Sequence, residues 1–113
     1  MSQIENAFEK LMQVIRESEE YIRYQKARKE LHKYPELEQT VHEFRKRNYQ
    51  IQNSGNVSLF DEVDRLEREN AQLRRNPVVE EYFVAELIFC RIVQQINWKM
   101  IDGLDFEVGF VNE

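Results

Sequence analysis

The chain has 113 residues, 42% hydrophobic and 33% charged, with a net charge of -5, three glycines and two prolines. One domain with its own core fits that length and apolar share, and the scarcity of breakers argues for an almost entirely helical protein. The single cysteine excludes an intrachain disulfide, and the acidic balance argues against a general binder of nucleic-acid phosphates.

No charged start followed by an apolar run marks a signal peptide, and no segment reaches the roughly 20 apolar residues of a membrane span. A reducing, cytoplasmic location is the expectation. The charge is uneven: residues 23–47 carry Arg23, Lys26, Arg28, Lys29, Lys33, Arg45, Lys46 and Arg47 against four glutamates. That segment is a basic hairpin on an acidic protein.

In chain order, Ile4, Phe8, Leu11, Met12 and Ile15 keep the rhythm of one helical face, which predicts a helix from Ser2 to about Glu17. Ser18 followed by Glu19 and Glu20 reads as a cap with acids in the first turn. A second helix over Glu19 to Lys33 then carries the stripe Tyr24, Ala27, Leu31 and Tyr34, although the first two could be one bent helix. Tyr34–Pro35 breaks the chain, because a residue before proline is pushed out of the helical region and proline suits a first turn. A third helix follows on Leu37, Val41, Phe44, Asn48 and Ile51.

Asn53, Ser54, Gly55 and Asn56 read as a loop, and Ser58 with Asp61 resembles a capping box. The fourth helix runs to about Arg75 on Leu59, Val63, Leu66, Asn70 and Leu73, a spacing that predicts a narrow antiparallel seam with the third. Asn76–Pro77 then opens the longest and most apolar helix, to about Ile101. Its stripe covers more than half the surface, so it is expected to be buried on more than one side, as the central helix of an assembly. Asp102 and Gly103 predict its end. The alternation of Leu104, Phe106, Val108 and Phe110 predicts an extended tail over 104–113 after a helical domain over 1–103.

Catalytic patterns are thin. The chain has no GxGxxG, Walker loop, HExxH, CxxC or GxSxG, and no Glu-x-x-His pair that a di-iron site in a helical bundle would use. His32 and His42 read as solvated surface residues, and Cys90 as a small buried hydrophobe. No catalytic residue, cofactor, metal or small-molecule substrate is expected. Glu86 and Asn97 fall on the apolar stripe. Glu86 calls for a basic partner such as Arg28 or Arg45, a subunit interface, or a place at the stripe's rim. Tyr82, Phe83, Glu86, Phe89, Cys90, Val93, Asn97 and Trp98 are the expected oligomer interface.

The segments ESEEYIRYQKARKEL (Glu17 to Leu31), YPELEQTVHEFRKRNYQIQ (Tyr34 to Gln52) and YFVAELIFCRIVQQINWKMI, with its Ala85–Glu86 and Ile96–Asn97 steps, resemble the YlbF/YmcA family of small helical cytoplasmic proteins from Gram-positive bacteria. The resemblance covers about Ile4 to Ile101. It implies an all-α oligomer with a regulatory role, in complexes that influence competence, sporulation and biofilm formation and that are linked to RNA processing through the endoribonuclease RNase Y. Some relatives hold iron–sulfur clusters with cysteines of a carboxy-terminal extension. This chain departs from that pattern, ending at Glu113 with no such cysteines, so no cluster is expected.

The resulting expectation is an all-α antiparallel bundle of about five helices with a long C-terminal helix and a short extended tail. It would act as a non-enzymatic, self-associating adaptor that docks protein partners through Ile22, Arg23, Lys26, Lys29, Lys33, Arg45, Lys46 and Arg47. The alternative is an RNA-binding accessory protein in which those basic residues contact phosphates.

Overall fold

The structure, a computed structural model, describes residues 2–53 and 60–105. Five helices follow in order: α1 (Ser2–Arg16), α2 (Glu19–His32), α3 (Pro35–Gln52), α4 (Phe60–Leu73) and α5 (Pro77–Gly103). Every regular element among the described residues is an α-helix. The loop expected at Ser54–Asn56, the Ser58 capping box and the tail beyond Asp105 lie outside the described residues.

Each break has a local cause. Ser18 separates α1 from α2: its hydroxyl donates to the Ile15 carbonyl at 2.6 Å and accepts from the Tyr21 amide at 3.2 Å, closing one helix and capping the next. Tyr34 adopts φ -122°, ψ 81° before Pro35, as the proline demands. Asn76 caps α5, its side-chain oxygen accepting from the Val78 amide at 2.9 Å, with Pro77 in the first turn. α5 ends at Gly103, at the Asp102–Gly103 step that predicts its stop, and the residue at positive φ is Asp105, at 50°. A short polar side chain tolerates that left-handed turn.

Packing is concentrated at one end. Ala27 and Leu31 of α2, Val41 of α3, and Val79, Tyr82, Phe83 and Ala85 of α5 form the core, with Tyr24, Leu37, Leu73 and Val78 against it. Val41 and Val79 are fully buried, each contributing roughly 1.5–3 kcal/mol. α2 lies antiparallel along the first half of α5, with the Tyr24 ring stacked on Tyr82 at 6.2 Å and on Phe89 at 5.6 Å and the Tyr21 ring edge-on to Phe89 at 5.4 Å. α3 and α4 pair antiparallel, as their spacing predicts: Arg47 bonds Glu69, and Phe44 and Leu66 are buried.

The other end is open. No residue of α1 is buried, although its Ile4–Phe8–Leu11 face is strongly amphipathic. The radius of gyration is 18.2 Å, against roughly 13–14 Å for a compact domain of this length. With extents of 50 × 39 × 17 Å the molecule is a flattened slab, thicker than the roughly 10–12 Å of a single helix but far thinner than it is long.

Candidate docking surface

α2 sorts its residues cleanly by side. Tyr24, Ala27 and Leu31 face α5, which turns Ile22, Lys26, Lys29 and Lys33 outward at i, i+4, i+7 and i+11, all exposed. This ridge is the coherent part of the basic hairpin. Lys26 and Lys29 make no ion pair among the described residues, and Lys33 has only Glu30 on its own helix, at 3.0 Å. Lys46 on α3 is likewise exposed and without an ion pair there.

The arginines of the expected surface are committed to the fold. Arg23 grips Glu81 of α5 with Nε and Nη2 at 2.7 and 2.8 Å, and that hydrogen bonding holds the Glu81 carboxyl below the usual carboxylate range. Arg47 pairs with Glu69. Arg45 points inward. It donates from Nη1 to Glu86 at 2.8 Å and to the Tyr82 hydroxyl at 3.3 Å, and from Nη2 to Glu86 at 2.5 Å. Its guanidinium lies 4.9 Å from the Tyr82 ring centroid and 5.2 Å from that of Phe83. Burial opposes its charge, but Glu86 outweighs the burial and its pKa stays raised. Burial also pushes the Tyr82 hydroxyl up to about 12. Glu86 therefore has the Arg45 partner that its place on the stripe calls for.

The expected oligomer residues divide in two. Tyr82 and Phe83 are buried within the chain, Glu86 is held by Arg45, and Phe89 stacks with α2, so these four serve the chain's own core. Cys90, Val93, Asn97 and Trp98 are exposed. Cys90 is thus not the buried hydrophobe expected, and Asn97 faces solvent, because the helices that cover α5 stop near Phe89. Sequence reasoning missed the Arg74–Glu80 ion pair, at 3.0 Å across the α4–α5 turn, with Arg74 also 5.0 Å from the Phe83 ring. Its signal was a basic residue six positions before a glutamate in the first turn of α5.

His32 and His42 are exposed, with His32 Nδ1 3.1 Å from Glu38. Among the described residues no three His, Cys, Asp or Glu side chains are placed to hold a metal ion, and no helix is long and apolar enough to cross a membrane. A cleft of about 320 Å³ between α3 and α4 is lined by Leu37, Phe44 and Leu73, at the small end for ligand pockets. Its flanking Arg47 and Glu69 already satisfy each other.

Comparison with known proteins adds the family. The chain is 25% identical over 100 residues to a UPF0342 protein of Caldicellulosiruptor bescii, covering 86% of this chain and 84% of the relative. It is 24% identical over 100 residues to a UPF0342 protein of Caldicellulosiruptor saccharolyticus, covering 86% and 83%. No solved structure matches it. The family model described as "Control of competence regulator ComK, YlbF/YmcA" matches residues 4–105, which takes in all five helices, and the chain belongs to that family.

Proposed function

We propose that this chain is a non-enzymatic cytoplasmic adaptor that regulates by docking a partner protein on the outward ridge of α2. The observation that carries the reading is the contrast between the two sides of that helix. Its inner side is locked to α5 by Tyr21, Tyr24 and Arg23, while its outer side presents Ile22 with Lys26, Lys29 and Lys33 to solvent. An apolar residue beside exposed lysines suits an acidic protein surface with a small apolar pocket. The family's description supports a regulatory role. We place that role in RNase Y-dependent RNA processing, with effects on competence, sporulation or biofilm formation.

Direct RNA binding is less favoured, because Arg23, Arg45 and Arg47 are held by Glu81, Glu86 and Glu69 and have little left to offer phosphates. The test is complementation of a strain lacking the chain. The combined Ile22→Glu, Lys26→Glu, Lys29→Glu variant is expected to fold normally and fail to restore transcript processing. Full restoration contradicts the reading. A log–log salt slope of RNA affinity steeper than about -3 for the wild type would favour RNA contact instead.

A further inference from the structure

We propose that the element docking on the α2 ridge is an acidic helix of a partner protein, laid antiparallel along α2 with carboxylates opposite Lys33, Lys29 and Lys26 and an apolar residue opposite Ile22. This rests on the docking reading above and names what docks. Ile22, Lys26, Lys29 and Lys33 stand at spacings of 4, 3 and 4, and all four are exposed, Ile22 at 55%. That is the seam spacing of one helix packed along another, where a partner strand would be met at a period of 2. α2 thus carries two seams on opposite sides. The inner one, Tyr24, Ala27 and Leu31, is filled by the chain's own packing, and the outer one is open. Over 11 residues the outer row rises about 16 Å, three turns, which one short helix can cover.

The surroundings of the row give the partner its charge. Two shallow clefts flank the Ile22–Lys26–Glu30 edge, and they differ in sign. The cleft of about 500 Å³ on the Tyr21 side holds Lys26, Lys29 and Lys33, with Glu30 as its single carboxylate. The cleft of about 560 Å³ on the α5 side holds Glu19, Glu30 and Glu81 against Arg23 and Lys26. There Arg23 and Glu81 already satisfy each other, and the Lys26 charge also acts on Glu81. An acidic helix is therefore drawn to the first cleft and repelled from the second, so it leans toward Tyr21 and Lys29.

A second copy of the chain does not fit this seam, because its own Lys26 and Lys29 would stand against the same lysines in either direction. Direction follows from the charge gradient of α2, which starts with Glu19 and Glu20 and ends in Lys29, His32 and Lys33. An antiparallel partner brings its acidic first turns, which its own dipole favours, to the lysine end and keeps them from the two glutamates. Ile22 then packs beside the partner's apolar residue, at the end of the row where carboxylates would be repelled. Exposed lysine–carboxylate pairs are individually weak, so the contact is reversible and loosened by salt.

The probe is a fluorescent, capped alanine–glutamine peptide of about 18 residues, stapled at i+1 and i+5 to hold it helical, with Glu at i, i+4 and i+7 and Leu at i+11. Anisotropy titration with the full chain at about 20 mM salt is expected to show saturable binding. An isomer with its glutamates at i+2, i+6 and i+9, on the side away from the leucine, should bind at least about fivefold more weakly. Lys29→Glu should weaken the original peptide by about the same factor, with the helical signal unchanged because Lys29 is exposed. A peptide with Lys at i+4 should restore binding to that variant. No binding up to about 1 mM chain, equal binding of the isomer, rescue by Lys at i+7 in place of i+4, or a ten-uridine RNA held more tightly than the peptide overturns the proposal. If the peptide fails while the Ile22→Glu, Lys26→Glu, Lys29→Glu variant still does not restore transcript processing, the helix is wrong and the docking reading stands. Full restoration by that variant removes the docking reading itself.

Discussion

Arg45 of α3 and Glu86 of α5 meet as a forked pair, both guanidinium Nη atoms on both carboxylate oxygens, with the cation laid against Tyr82 and Phe83. The pair is half-buried, with side-chain exposures of 35% and 25%, so water screens part of its attraction. Its effect is to tie α3 to α5 at the border of the aromatic core.

Removing one partner strands the other. Arg45→Ala and Glu86→Ala are each expected to cost about 2 kcal/mol, below the 3–5 kcal/mol of a fully buried pair. The double variant should cost clearly less than the two losses combined. Arg45→Lys should recover little, because an ammonium lacks both the fork and the planar stacking surface. Urea unfolding measures all four.

Tyr82 makes stability sensitive to alkali. Its folded pKa is about 12, against about 10 for a free tyrosine. A neutral hydroxyl is therefore favoured in the fold, so its contribution is fully present below pH 10 and is lost as pH rises from 10 toward 12. Wild type should lose on the order of 2 kcal/mol more than Tyr82→Phe over that interval. Absorbance titration should show one of the five tyrosines ionising late, and only in the folded chain.

Ala27 and Ala85, small residues from α2 and α5, belong to the same buried cluster at 4% and 1% exposure. Ala85→Leu should cost about 1–3 kcal/mol through overpacking. Thermal melting checks this, and an unchanged midpoint would mean that α2 and α5 are more loosely joined than described.

The helix breaks were legible because they are local. Ser18, Tyr34–Pro35 and Asn76–Pro77 each act through a cap, a forbidden dihedral or a missing amide, all of which a sequence displays. The Arg45–Glu86 pair was half legible, since a carboxylate on an apolar stripe demands a cation but periodicity cannot choose between Arg28 and Arg45. Periodicity also could not say where cover for α5 ends. Tyr82 and Phe89 share a face with Val93 and Met100, and only the length of α2 and its antiparallel seat on the first half of α5 divide that face into core and exposed seam. For the same reason Cys90 and Asn97 face solvent, and among the described residues the amphipathic α1 meets chiefly α2 and buries none of its side chains. The stop of α5 at Asp102–Gly103 was legible, whereas the left-handed turn two residues on, at Asp105, was not.

The outward ridge of α2 is the centre of the functional account, and a photo-crosslinking residue placed at Ile22 in cells of the native organism tests it most directly. The account predicts a discrete covalent adduct with another protein, lost when Lys26 and Lys29 are both changed to Glu and absent when the same probe replaces Glu43 on α3. Crosslinking to RNA in place of protein, or the same adducts from both positions, would contradict it.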